Sequence, residues 1–97
     1  MIEHLVLFRF KPGVATSDAA VQSVHRAMQE LPGQIGGICE WHCGFNATPD
    51  ELAWDYALSA RFDDEQALHA YFEHPRHAEV LELWAPIAEL RFCDLAL

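Results

Sequence analysis

This chain of 97 residues has little positive charge, because its six lysine and arginine residues stand against fifteen aspartate and glutamate residues. The resulting net charge of −9 argues against nucleic acid or anionic membranes as partners, since both favour clustered Lys and Arg. The chain also lacks any apolar run near the roughly 20 residues that cross a bilayer. Its first residues lack the basic segment of a signal peptide. We therefore expect a cytoplasmic protein with no nucleic-acid or membrane partner.

Cysteine is scarce as well, and the three cysteines are an odd number, which does not suggest a disulfide framework. Cys39 and Cys43 flank His42 in a predicted strand, where the histidine would point to the opposite face. The spacing of Cys39, His42 and Cys43 matches no zinc pattern. We expect no metal site and interpret the cysteines as small buried apolar side chains.

Apolar residues make up 52% of the chain, which predicts a single globular domain over residues 1–97. Periodicity and turn residues give the element order β-α-β-β-α-β. The predicted elements are strands over 2–10, 38–45, 54–62 and 90–97, a helix over 17–31 capped by Thr16 or Ser17 and stopped by Pro32-Gly33, and a helix that Asp63 caps, Pro75 interrupts and Pro86 ends. This order is the ferredoxin-like α+β arrangement, with a four-stranded antiparallel sheet and helices on one face.

The opposite face of the predicted sheet is also partly apolar. It carries Leu5 and Leu7 from the first strand and Leu95 and Leu97 from the last. An exposed sheet face of this kind would be an unusually large apolar patch. We therefore predict a homodimer in which two copies pack sheet to sheet around a two-fold axis.

The segment from Tyr71 to His77 offers the clearest candidate chemistry. Proline at position 75 favours the start of a helix, so His77 would lie in its first turn. The positive end of the helix dipole disfavours imidazolium there and leaves the neutral form that a general base needs. Tyr71, about one turn before the break, could stabilise a developing enolate oxygen. His4 would come from the adjoining strand.

Structural roles for the same residues stay open from the sequence alone. His74 could cap the helix that follows it, His77 could lie on the surface, and Tyr71 could be a core aromatic. His25 and His69 lie in amphipathic helices and are expected to be solvated.

Several segments together resemble the stress-responsive dimeric α/β-barrel family, often called Dabb. They are His4-Leu5-Val6-Leu7-Phe8-Arg9-Phe10-Lys11, Leu31-Pro32-Gly33, Asp55-Tyr56-Ala57-Leu58, Phe62, Tyr71-Phe72-Glu73-His74-Pro75-Arg76-His77 and Trp84-Ala85-Pro86. The resemblance implies ferredoxin-like subunits that pair into a dimeric barrel. The family includes plant stress proteins without an assigned reaction and a polyketide cyclase that needs neither metal nor cofactor. In that cyclase a tyrosine and a histidine of the matching segment are catalytic, which implies the same roles for Tyr71 and His77.

The family's pocket implies further substrate-binding residues. A pocket histidine near the start matches His4, whereas another falls at Tyr56 and so departs from the pattern. The predicted substrate-binding set is His4, Val6, Phe8, Tyr56, His74 and Trp84. The resulting hypothesis is a cofactor-free enzyme of cyclase or lyase type acting on a small apolar, aromatic or polyketide-like carbonyl compound. The alternatives are a non-catalytic stress-responsive or ligand-binding dimer and a cofactor-free monooxygenase-like protein.

Overall fold

The computed structural model describes residues 1–97 as one antiparallel sheet with three helices packed on one face. In chain order the elements are β1 (Ile2–Phe10), α1 (Ala19–Gln34), β2 (Ile38–Phe45), β3 (Tyr56–Phe62), α2 (Glu65–Glu73), α3 (Pro75–Trp84) and β4 (Ala88–Ala96). The strands lie in the order β2-β3-β1-β4, and every neighbouring pair is antiparallel. This arrangement confirms the predicted ferredoxin-like subunit fold.

The core lies between the sheet and the helices. This position is predicted by the alternation of apolar residues in the strands and by their spacing of three or four residues in the helices. On β1, alternate residues His4, Val6 and Phe8 are buried beneath the helices. Helix α1 contributes a stripe at helical spacing, and α2 and α3 add buried residues of their own. The buried helical residues are Val21, Val24, Ala27, Met28, Leu31, Leu68, Tyr71, Val80 and Trp84.

The first helix begins and ends later than predicted. It starts at Ala19, and Asp18 accepts a hydrogen bond from the Ala15 N–H in the preceding turn at 3.0 Å. It then continues through Pro32 to Gln34. Proline lacks an N–H but still accepts helical geometry, and the helix closes with a hydrogen bond from the Ile35 N–H, at the C-cap, to the Leu31 carbonyl at 3.0 Å. Burial of Leu31 and Ile35 in the core fixes this last turn.

Three other predicted boundaries shift by one or two residues. β3 begins at Tyr56 and not Trp54, because the Asp55 carboxylate turns back to accept the Phe10 N–H at 2.7 Å. Asp64, one residue after the predicted Asp63, caps α2 by accepting the Ala67 N–H at 2.9 Å. β4 begins at Ala88, opposite Phe10, so that it pairs with the whole of β1.

The break between α2 and α3 falls where the proline predicts it. α2 ends at Glu73, α3 starts at Pro75, and His74 between them has extended backbone geometry. The His74 ring accepts the Arg76 N–H on Nδ1 at 3.0 Å, so this histidine caps α3.

The expectation that the cysteines are buried is wrong for two of the three. Cys39 and Cys93 are exposed, and only Cys43 is half-buried. A register irregularity between Ile38 and Glu40 displaces Cys39 from the face of Cys43, and its thiol contacts the Asp63 carboxylate at 3.4 Å. No group of three or more His, Cys, Asp or Glu side chains is arranged to hold a metal ion.

The sheet face opposite the helices is uncovered in the protomer. Leu5 is 37% exposed and Leu7 50%, while Leu95 and Leu97 on or beside β4 are 46% and 59% exposed. The apolar surface predicted from the alternation of β1 and β4 is therefore present. None of the helices is long and apolar enough to cross a membrane.

Candidate active-site cavity

A mostly apolar cavity of about 190 Å³ lies between the sheet and the helices. Twelve of its fourteen lining residues are hydrophobic. They come from the strands β1, β3 and β4 and from all three helices. The lining residues are His4, Val6, Phe8, Met28, Leu31, Leu58, Tyr71, Phe72, His77, Val80, Leu81, Trp84, Leu90 and Phe92. The few polar atoms in such a cavity are the groups that would orient a ligand.

Helix α3 forms one wall of the cavity along its whole length. Its lining residues His77, Val80, Leu81 and Trp84 follow the spacing i, i+3, i+4, i+7 and so share one helix face. His77 lies in the first turn and Trp84 is the last helical residue. At 1.5 Å per residue, their backbone positions are roughly 10 Å apart along the helix axis.

The His77 ring is half-buried beside Tyr71, with 4.5 Å between the ring centroids in an edge-to-face arrangement. Burial lowers the pKa of His77 below 6.5, and the charge that His4 carries when protonated lowers it further. The Phe72 backbone carbonyl raises this pKa, but the net direction is down. The sequence predicts a lowered pKa and a neutral His77 ring because the residue lies at the positive end of a helix. In the structure the pKa is also lowered, but the main cause is burial of the ring.

Tyr71 lies at the same end of the cavity and is 2% exposed. Burial raises the pKa of its hydroxyl well above the ordinary value of 10, so the group stays protonated at neutral pH. A protonated phenol remains a hydrogen-bond donor. The ring packs against His4 and Phe62, with centroids 5.9 and 5.1 Å away, which holds the side chain in place.

His4 completes the polar end of the cavity and is paired with a carboxylate. Its Nδ1 lies 2.6 Å from Oδ1 of Asp94, and its side chain is only 4% exposed. Because a carboxylate can only accept, Nδ1 carries the proton and donates it in a hydrogen bond to Asp94. This hydrogen bond fixes the orientation of the His4 ring. Nε2 is then left free for another partner. The cavity therefore places three polar side chains, from β1, α2 and α3, around one apolar space.

The same fold is found in a known family. The chain matches the stress responsive A/B barrel domain over residues 2–94. It belongs to this family, as the sequence predicts. An uncharacterized protein of Streptomyces coelicolor is 38% identical to this chain over 94 residues, which are 97% of each protein.

Solved structures of other proteins share this fold. A dimeric ferredoxin-like protein of unknown function from Thermobifida fusca is 29% identical, with a TM-score of 0.87, over 99% of this chain and 90% of its own. A hydroxynitrile lyase from Passiflora edulis gives a TM-score of 0.83 at 16% identity, over 99% of this chain and 92% of its own. At that identity the likeness shows the fold alone.

Two residues predicted to bind substrate in this A/B barrel protein lie outside the cavity lining. His74 caps α3 instead. Tyr56 lies behind the wall formed by Phe8 and Trp84, and its hydroxyl is 2.7 Å from Nδ1 of His25. His25 is therefore half-buried and hydrogen-bonded, so the expectation that it is solvated is wrong. Burial raises the pKa of Tyr56 above its ordinary value.

Sequence reasoning missed Asp94 and the residues at the rim of the cavity. Asp94 lies directly opposite His4 in the β1–β4 register, so correct pairing of these two strands would have found it. Leu81 and Phe92 are 40% and 58% exposed although both line the cavity. In the sequence they resemble ordinary core positions of α3 and β4, with no signal that they border an opening.

Proposed function

We propose that this A/B barrel protein binds a small apolar carbonyl compound in the cavity and removes a proton from the carbon next to the carbonyl, without a cofactor. The observation that carries the proposal is the convergence of His77, Tyr71 and the Asp94-bound His4 on one apolar space. An apolar cavity with a few convergent polar groups is the ordinary form of a small-molecule site.

The proposed step divides the work between two residues. A neutral ring nitrogen of His77 takes the proton, and the electron pair of the broken C–H bond moves onto the carbonyl oxygen to give an enolate. The Tyr71 hydroxyl donates a hydrogen bond to that oxygen as its negative charge develops. His4, held by Asp94, binds the substrate beside them. The enolate carbon can then attack a second carbonyl of the same molecule, as in ring closure, and the oxygen of that carbonyl takes the proton from His77 as its π bond breaks. Otherwise the enolate carbon takes the proton back from His77.

Exchange of carbon-bound hydrogen tests this step without knowledge of the natural substrate. We would incubate 4-ethylacetophenone with the protein in D₂O and follow loss of the acetyl proton signal by NMR. We expect His77→Ala to slow the protein-catalysed exchange by at least about a hundredfold, within the range of general-base contributions. His69→Ala, at an exposed position on α2, is the matched control and should exchange at the wild-type rate. Equal rates for the two variants would contradict the proposal.

A second candidate function is ligand binding without turnover. The hydrophobic character of twelve of the fourteen lining residues favours it, because burial of an apolar ligand needs no chemistry. It predicts that the ketone perturbs cavity resonances while its own protons fail to exchange. The monooxygenase-like alternative has no separate observation in its favour and stays a hypothesis from the sequence.

The proposed working unit is a homodimer. The uncovered sheet face carries Leu5, Leu7, Leu95 and Leu97, and covering them would remove their exposed apolar surface from water. The similar protein from Thermobifida fusca is dimeric, which supports the same assembly for this chain.

A further inference from the structure

We propose that His4 and Asp94 form a second general base that activates a water molecule, so that the cavity also hydrolyses small uncharged carboxylic esters. This inference rests on the proposed use of the cavity as a ligand site. It adds a different reaction, the attack of water on an ester carbonyl carbon, and gives it to a histidine other than His77.

The starting observation is the way in which His4 is held. Its Nδ1 lies 2.6 Å from Oδ1 of Asp94, and its side chain is 4% exposed. Since the carboxylate accepts the Nδ1 proton, the neutral ring presents the lone pair of Nε2 as a proton acceptor. A carboxylate that holds a histidine ring in this tautomer also stabilises the protonated ring, which is the arrangement that lets histidine act as a general base.

Nε2 of His4 is accessible from the cavity. It makes no hydrogen bond within the protein, yet it is not among the buried side-chain atoms that lack a partner, so it retains accessible surface. The same is true of the Tyr71 hydroxyl. Both residues line the cavity, and their ring centroids are 5.9 Å apart. A ligand in the cavity can therefore contact both polar groups.

A water molecule fits the polar end of the cavity. A buried water needs about two to four polar partners, and His4, Tyr71 and His77 provide polar side chains there. The cavity volume of about 190 Å³ exceeds the roughly 150 Å³ of an engineered cavity that binds benzene, and the difference is larger than the roughly 30 Å³ share of one water. The space can therefore hold a small ring together with a water.

The reaction balances within the site. Nε2 of His4 takes a proton from the water as the water oxygen bonds to the ester carbonyl carbon and the π electrons move onto the carbonyl oxygen. The Tyr71 hydroxyl donates a hydrogen bond to that oxygen as its negative charge develops. The C=O π bond then forms again, the bond to the leaving oxygen breaks, and that oxygen takes the proton from His4. The products are a carboxylic acid and an alcohol or phenol.

The lining of the cavity defines the class of ester. No lysine or arginine lines it, so a substrate that already carries a carboxylate would be a buried charge without a cationic partner. An uncharged ester avoids this cost, whereas its acid product ionises at neutral pH and becomes unfavourable in the cavity. Leu81 and Phe92, which line the cavity and are 40% and 58% exposed, border the opening through which the product leaves.

Hydrolysis of phenyl acetate, followed by NMR alongside exchange of saturating 4-ethylacetophenone, tests the inference. We expect the wild-type protein to release phenol and His4→Gln to slow the release at least about a hundredfold, within the range of general-base contributions. Asp94→Asn should slow it at least about tenfold, because the ring is no longer held in the required tautomer. His4→Gln should slow hydrolysis much more than exchange, and His77→Ala should do the reverse. His69→Ala, at an exposed position, should hydrolyse the ester at the wild-type rate.

The tautomer of His4 provides a readout that needs no variant. With histidine labelled with nitrogen-15, the wild-type spectrum in mildly alkaline buffer should show the His4 proton on Nδ1 and no proton on Nε2. Asp94→Asn should change this pattern. A wild-type ring with its proton on Nε2 would have no base facing the cavity and would overturn the inference. This measurement keeps the test decisive if the variants fold poorly.

The outcomes separate this inference from the proposed function. If the wild-type protein exchanges the ketone protons but fails to hydrolyse phenyl acetate, or if His4→Gln hydrolyses it at the wild-type rate, the inference is overturned and the proposed proton abstraction stands. If hydrolysis depends on His4 but no exchange is seen, the inference stands and the proton abstraction falls. If neither reaction occurs, both fall.

Discussion

The titration of His77 links its position in the cavity to the stability of the protein. Because burial lowers its pKa below 6.5 in the folded state, the unfolded chain binds the proton at a higher pH than the folded one. Unfolding therefore takes up a proton in the window below pH 6.5. We expect the free energy of unfolding to fall as the pH drops from about 7 through the lowered pKa, and this contribution to level off below it.

Urea unfolding measured between about pH 5 and pH 7.5 checks this prediction. His77→Gln cannot take up the proton, so its stability should decrease less on acidification than that of the wild type. His69→Gln, at an exposed position, should follow the wild-type curve. A variant at position 77 with the full wild-type pH dependence would show that this histidine is as easily protonated in the folded protein as in the unfolded chain.

The hydroxyl of Tyr71 should matter for turnover and little for binding. In Tyr71→Phe the ring keeps its packing, but the donor to the enolate oxygen is lost. We expect the exchange rate of the bound ketone to fall roughly a hundredfold, the scale seen when one oxyanion donor is removed. KM should change little, because the interaction strengthens only as charge develops.

Tyr56→Phe is the matched control for that prediction. Tyr56 is also a buried tyrosine with a raised pKa, but its hydroxyl is bonded to His25 outside the cavity lining. Its loss should reduce stability by about 1 kcal/mol and leave the exchange rate unchanged. Comparable losses of rate in both variants would point to a general effect on the core and not to a role for Tyr71 in the reaction.

At this scale the sequence identified residues better than it identified their contacts. The alternation of β1 placed His4, Val6 and Phe8 on one face, and the structure brings them to one cavity with His77. It could not distinguish Tyr56, which shares the buried face of the sheet but contacts the cavity wall from behind. Periodicity predicts which face of the sheet a residue occupies. It does not predict whether the side chain borders the cavity or packs behind a residue that does.

The junction between α2 and α3 positions the first turn of α3, and His74 holds that junction. Its ring accepts the Arg76 N–H, and its backbone carbonyl accepts the His77 N–H at 3.0 Å. We expect His74→Ala to lower the free energy of unfolding by about 1 kcal/mol, the usual effect of losing a helix N-cap. His74→Asn should retain much of the stability, since asparagine also accepts this kind of hydrogen bond. Urea unfolding of both variants measures the difference.

The cap prediction has a clear contrary outcome. If the alanine and asparagine variants are equally destabilised, the hydrogen bond to Arg76 contributes nothing and the His74 ring acts only through packing. If neither variant differs from the wild type, Pro75 alone is enough to start α3 through its fixed backbone angle.

Element types were predictable from this sequence, and element ends were less so. Pro75 ended α2 as expected, because the residue before a proline avoids helical geometry. Pro32 did not end α1, because the buried side chains of Leu31 and Ile35 hold that last turn against the core. Packing against the core therefore determines where α1 ends. A rule that considers only the proline and its neighbours in sequence cannot predict this end.

For the whole molecule, the main question is what covers the open sheet face. The sequence alone predicted an apolar surface there, and the exposed leucines of β1 and β4 agree with it. In the proposed two-fold interface, every residue of this face is present twice, so one substitution places two copies in the contact. A charge introduced there would lose its hydration in the contact, a cost that Arg91 opposite Leu7 in the β1–β4 register offsets only in part, so association is disfavoured.

We therefore expect Leu7→Glu to convert the dimer to monomer in native mass spectrometry and sedimentation at micromolar concentration. Leu83→Glu is the matched control, because Leu83 is 45% exposed, close to the 50% of Leu7, but lies on α3 on the helix side of the sheet. That variant should remain dimeric. Dissociation by the α3 variant alone would move the interface to the helical side. A wild-type protein that is monomeric at these concentrations would leave the leucines of the sheet exposed to water and contradict the proposed assembly.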